Sequence, residues 1–187
     1  MKREKALMSR KQKIVLFIVV FIVVCLAFFF RLWFATLCNR IKISNREEMF
    51  QFVLDNQEEL SGIVDEMINL YEANDEKVII LDKNNEKEWK QLELQNVDDF
   101  FNGYFVKYIS ADTLHDGPIR VSILFALTPK GYDYWGIYYT EDGKPDDWGG
   151  GTELIKQGDT YVQIGSYYRY ETEKILDNWY YYQCDTW

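Results

Sequence analysis

Apolar residues run along this chain in three regimes. The first is an unbroken stretch from Ile14 to Phe30, seventeen residues without a charge. At about 1.5 Å per residue a helix of that length covers roughly 25 Å, close to a hydrocarbon core of about 30 Å. Apolar character resumes after Arg31, through Leu32, Trp33, Phe34 and Leu37 to Cys38. The pattern therefore predicts a transmembrane helix over residues 14–38, with Arg31 snorkelling and Trp33 in the interfacial belt. Dense Val, Ile and Phe also suit a buried strand, but strands usually run only about 4–8 residues.

The second regime has a helical period. Ser44-Asn45-Arg46-Glu47 matches the S-x-x-E capping box, in which the two side chains satisfy free backbone N–H groups reciprocally. Behind it Phe50, Val53, Leu60, Val64, Met67 and Tyr71 recur at helical spacing, with Gln57 interrupting. One amphipathic helix over about residues 46–72 follows, its acidic residues falling largely on another face.

After Asn74-Asp75 the period becomes two. Lys77–Leu81 and Trp89–Leu94 read as short strands around a polar turn, and Val97–Asn102 as a brief helical turn before a strand from Tyr104 to Ser110. Ile119–Leu127 alternates most clearly: Val121, Ile123 and Phe125 face one way, Arg120 and Ser122 the other. Thr128-Pro129-Lys130-Gly131 is a turn, from which Tyr132–Thr140 returns as a hairpin. Glu141–Gly151 reads as a long loop, with strand signals beyond it at Tyr161–Tyr170 and Asn178–Cys184. The fold class expected is α+β: an N-terminal transmembrane helix, then one long amphipathic helix packed on a mainly antiparallel sheet of five or six strands.

Charge adds an orientation. Residues 1–40 carry eight Lys and Arg against one acid, whereas the remainder carries 13 against 29. Lys2, Arg3, Lys5, Arg10, Lys11 and Lys13 precede the apolar run, so the positive-inside rule keeps the N-terminus in the cytoplasm. The layout expected is a cytoplasmic basic tail at 1–13, an uncleaved signal anchor at 14–38 and an extracytoplasmic domain at 44–187, single-pass in a cell membrane. Cleavage fits less well, because no small-residue site follows the run. Lipidation fits less well too, because Val24 and Leu37 precede Cys25 and Cys38. The absence of any N-x-Ser/Thr sequon in the domain suits a bacterial surface. The acidic domain repels phosphate backbones, which excludes nucleic acid as the natural partner.

Candidate chemistry is thin. His115 is the only histidine, and a general base built on it would be oriented by Asp112 or Asp116; its Asp-Gly-Pro setting is equally a solvated turn. One histidine and Cys184, the one cysteine beyond the apolar run, cannot make a standard zinc site, though Cys38 and Cys184 are a conceivable pair. Asp142, Asp146 and Asp147 offer oxygens for Ca²⁺ without EF-hand spacing. The Gly149-Gly150-Gly151 run matches no phosphate loop. These signals indicate no catalytic residue, no metal and no cofactor.

Aromatics are the unusual feature, crowding the last third of a chain that is 17% aromatic. Alternation puts Trp135 and Tyr139 on one sheet face and Tyr134 and Tyr138 on the other, and Tyr180-Tyr181-Tyr182 supplies rings to both. A face that is not core would present flat amphipathic rings to a ligand or partner, with Trp148, Tyr134 and Tyr138 the residues expected to make contact. The sequence thus points to a membrane-anchored extracytoplasmic domain without enzymatic activity, binding another envelope protein or scaffolding an envelope assembly. The alternative is a module that stacks cell-wall glycan on its Tyr and Trp rings.

Overall fold

Apolar length decides the first point. The computed structural model describes residues 17–29, 31, 40–74, 77–113, 117–125, 133–149 and 152–187, in two units, Met1–Arg40 and Ile41–Trp187. In the first unit residues 17–29 and residue 31 are helical, here named α1, and most apolar side chains from Phe17 to Phe29 are exposed. No helix among the described residues is long and apolar enough to cross a membrane. This corrects the expectation of a transmembrane signal anchor over 14–38, and with it the single-pass placement that set the N-terminus in the cytoplasm and the domain outside. The basic tail at 1–13 and the remaining parts of that run, at 14–16, 30 and 32–38, lie outside the described residues.

In the second unit the expected long helix is two, α2 (Arg46–Asp55) and α3 (Gln57–Glu72). Asn56 breaks it. Its backbone leaves helical geometry at φ −122° and ψ 29°, and its side-chain amide donates to the Phe52 carbonyl at 2.7 Å. Asparagine offers the backbone this local alternative to the helical ladder. The capping box is also displaced by one residue. Asn45 is the N-cap, accepting from the Glu48 N–H at 2.9 Å, while Glu48 accepts from the Ser44 N–H at 2.8 Å.

Strands β1 (Val78–Asp82), β2 (Val106–Thr113), β3 (Ile119–Phe125) and β4 (Tyr134–Thr140) form one antiparallel meander. Strands β5 (Ile155–Gln157), β6 (Thr160–Ile164), β7 (Tyr168–Leu176) and β8 (Trp179–Thr186) form a second. β4 pairs with β8, giving one sheet of eight strands in the order β1-β2-β3-β4-β8-β7-β6-β5, where five or six were expected. Residues 161–170 divide into two strands because Gly165 turns the chain, its N–H donating to the Tyr168 carbonyl at 2.9 Å. β5 is too short, at three residues, to show a period. Residues 89–94 are not a strand: α4 (Glu86–Trp89) runs into a 3-10 turn through Leu92. There the buried Trp89 indole donates to the Asp82 carbonyl at 3.0 Å.

The helices cover one face of this sheet. α2 packs on β7 and β8, and α3 on β2 and β3. Beside α3 lies α5 (Gln95–Gly103), whose first N–H groups are accepted by Glu66 at 2.9 Å from Asn96 and 3.0 Å from Val97. Between helices and sheet Val53, Leu60, Met67, Phe100, Ile109, Val121, Ile123, Trp135 and Tyr181 are buried in one core. At about 25 cal/mol per Å² of apolar surface removed from water, this face supplies most of the hydrophobic stabilisation. The other face is covered differently, by the segment that crosses from β4 to β5.

Candidate functional site

Period two sends Tyr134, Gly136 and Tyr138 of β4 to the face away from the helices, with Tyr180, Tyr182 and Cys184 of β8 beside them. Gly136 is required here. A Cβ would sit 2.0 Å from the Ile123 carbonyl oxygen and 3.0 Å from the Tyr182 ring. Tyr138 stacks on Tyr180 with centroids 5.2 Å apart and planes 10° apart.

The crossing segment is held down by tyrosine hydroxyls rather than left in solvent. Tyr180 donates to the Gly143 carbonyl at 2.6 Å and Tyr168 to that of Gly149 at 2.7 Å. The Asp146 N–H donates to the Tyr138 hydroxyl at 3.1 Å. Gln163, fully buried, accepts from the Trp148 N–H at 2.8 Å and donates to the Thr152 carbonyl at 2.8 Å. These bonds place the Trp148 ring, half-buried, 5.5 Å from Tyr170 and 5.6 Å from Tyr134.

Between this strap and the β1 edge lies a cleft of about 170 Å³. Its aromatic lining is Tyr108, Tyr138, Trp148, Tyr170 and Tyr182, and Val78 and Ile80 of β1 stand at its rim, half exposed. Asp112 and Arg120 are Cα partners across β2 and β3 and form a two-point ion pair, Nε to Oδ1 at 3.2 Å and Nη2 to Oδ2 at 3.1 Å. Arg120 also reaches Asp146 at 3.5 Å and the Asp147 carbonyl at 3.4 Å. Burial disfavours the charge on Arg120, but Asp112 and Asp146 outweigh it and hold the guanidinium above its ordinary value. Burial holds the Asp146 carboxyl above the usual carboxylate range, against the pull of Arg120.

Next along the same two strands Ser110 and Ser122 face each other as Cα partners. They line the cleft and are only 6% and 9% exposed. Neither hydroxyl has a hydrogen-bond partner among the described residues, and nor has that of Tyr182, which is 4% exposed. Burial raises the Tyr182 hydroxyl well above its ordinary value, as it does that of Tyr170, so both stay protonated at neutral pH. Among the described residues the one enclosed side-chain polar atom left without a hydrogen bond is Asp98 Oδ1. The three hydroxyls therefore keep access to solvent through the cleft, and their lack of protein partners there is the feature to explain.

Of the three aromatics expected to make contact, the cleft brings two together. Trp148 forms part of its wall; Tyr138 is 2% exposed, so only a sliver of its ring is presented. Tyr134 packs against Trp148 from outside the lining. His115 lies outside the described residues. Asp142, Asp146 and Asp147 turn to separate partners: Lys144 at 3.1 Å, Arg120 at 3.5 Å and the Gly149 N–H at 2.7 Å. Among the described residues no group of three His, Cys, Asp or Glu is arranged to hold a metal. Ser110, Ser122 and Arg120 were missed as site residues. The polar positions at period two were visible on β3, but their facing of β2 depends on the register between the two strands.

No family model matches this chain, and no curated protein or solved structure is significantly similar to it.

Proposed function

We propose that residues 41–187 are a non-catalytic recognition domain that takes a small polar ligand into the cleft on the strap-covered face. One observation carries this reading. The charges of the cleft are spent on one another, through Arg120 with Asp112 and Asp146, while three cleft-lining hydroxyls, without partners among the described residues, stay accessible to whatever enters. A hydrolytic serine needs a base to take its proton, and the acid lining the cleft, Asp112, is engaged at both oxygens. Cys184 is no better placed as a nucleophile: it is fully buried, and burial pushes its thiol up to about 12.

The test is a screen of small polar molecules on the full-length chain, read by thermal shift and tryptophan fluorescence. It is run in parallel on Ser122→Leu, whose side chain occupies the cleft. A compound that raises Tm of the parent but not of folded Ser122→Leu supports the reading. A broad screen without a hit, or hits indifferent to the substitution, rejects it.

A second reading, recognition of a protein partner, draws on Val78 and Ile80, apolar and 50% and 59% exposed on the edge strand. An extended peptide can add to such an edge through main-chain bonds. Crosslinking in cells that recovers the same partner with Ile80→Lys as with the parent would remove the edge from consideration.

A further inference from the structure

We propose that the ligand is a neutral sugar ring, held by its hydroxyls on Ser110, Ser122 and Tyr182 and by one apolar face on Trp148. This deepens the recognition reading and rests on it. Size is the first argument. The cleft, at about 170 Å³, is below the roughly 300–1,000 Å³ of pockets for drug-sized ligands. One ring fits, and anything attached to it continues out past Val78 and Ile80.

The second argument is hydrogen-bond type. A serine or tyrosine hydroxyl both donates and accepts. Three of them lining one cleft without partners among the described residues suit a ligand that carries several groups of the same dual kind, as a sugar ring does. Ser110 and Ser122 sit directly opposite each other on paired strands, the arrangement that serves neighbouring hydroxyls of one ring.

Charge excludes the main competitors. Two carboxylates surround the one guanidinium, and the chain carries a net −9, so the cleft disfavours phosphate and carboxylate ligands. The rings and acids would accept a quaternary ammonium, but a quaternary ammonium has no donor or acceptor to offer the three hydroxyls. The C–H face of a sugar ring suits the Trp148 indole, which Gln163 fixes through the backbone.

The experiment titrates the full-length chain with methyl glycosides of hexoses and N-acetylhexosamines by ligand-observed NMR, with choline and inorganic phosphate as separate probes. The same probes are applied to Trp148→Leu and to the double substitution Ser110→Ala with Ser122→Ala. Expected is binding of at least one glycoside, weakened about tenfold or more by the double substitution and also by Trp148→Leu, with phosphate silent. Choline or phosphate binding that Trp148→Leu abolishes, without any glycoside binding, overturns the sugar class while leaving a recognition cleft in place. Glycoside binding indifferent to both variants overturns the site. If no probe binds at all, the sugar assignment fails, and the broader screen then decides the recognition reading by itself.

Discussion

The two faces of the sheet are closed by different means. Helices α2, α3 and α5 press Val, Ile, Leu, Met and Phe side chains, with Trp135, against one face, where the packing is almost wholly apolar. On the other face tyrosines, serines, an arginine and Asp112 lie beneath a strap that carries Asp146 and is held mainly by side-chain hydrogen bonds to its backbone. The first face gains its stability from area removed from water, which is non-directional. The second depends on directional bonds, each worth only about 0.5–1.5 kcal/mol net. A domain that keeps its energy on one side can leave groups unsatisfied on the other. That division is what permits a cleft with open hydroxyls.

The sharpest way to break this comparison is to cut into the helix-covered face. Trp135 is fully buried, with its ring 6.1 Å from Phe125 and 6.3 Å from Tyr181. Trp135→Ala should cost about 3–5 kcal/mol through lost transfer energy and a residual cavity. Chemical denaturation measures it, and a loss below about 1 kcal/mol would mean that this face is not where the stability resides.

Next comes the ion pair on the strap-covered face. Arg120→Met leaves the carboxylates of Asp112 and Asp146 without their cation, at an expected cost of about 1.5–3 kcal/mol. The side chains of this trio remain 16–24% exposed, so solvent screening keeps the figure below that of a fully buried pair. Unfolding of the variant near pH 7 checks it. An unchanged midpoint would show that the trio is ornamental to the fold.

These two sites also mark what was legible in the sequence. Trp135 could be assigned to a face because alternation along β4 is local, and the hydrophobic period states it directly. The pair of Asp112 and Arg120 could not, because it depends on the register between β2 and β3. Likewise Tyr134 and Tyr138 were assignable to the second face, but not the burial of Tyr138. That burial needs the segment after Thr140 to fold back onto the sheet, and its run of Asp, Gly and Lys reads as a loop made for solvent. Asn56 hid for the opposite reason: the apolar period continues across it from Val53 to Leu60, so periodicity reports a helix where a side-chain amide has ended one.

The tyrosines sharpen the comparison by pH. Burial raises Tyr180 from an ordinary 10.0 to about 12, and Tyr138 and Tyr182 on the same face are raised as well. A folded value above the unfolded one means that the folded chain keeps a proton which the unfolded chain has released. The stability involved is complete below pH of about 10 and declines as pH rises through about 12. Tyrosinate absorbance against pH should therefore show a late-titrating group of tyrosines coincident with loss of structure. Titration of every tyrosine near 10 before unfolding would mean that the strap does not close the second face. Tyr138→Phe removes the bonds to Thr172 at 2.8 Å and to the Asp146 N–H at 3.1 Å, so it should cost about 1 kcal/mol.

The smallest expected effect discriminates most between the faces. A buried serine is ordinarily replaced by alanine at a cost, because its hydroxyl was paired and its partner is left stranded. Ser122 is 9% exposed, yet its hydroxyl has no partner among the described residues, so Ser122→Ala strands nothing. Its stability should stay within about 0.5 kcal/mol of the parent. A loss of 1 kcal/mol or more would reveal a partner for Ser122 and remove the main reason to regard the cleft as open to a ligand. Stability held constant while glycoside binding falls would instead separate the two faces by role: one carries the fold, and the other has polar groups to spare for recognition.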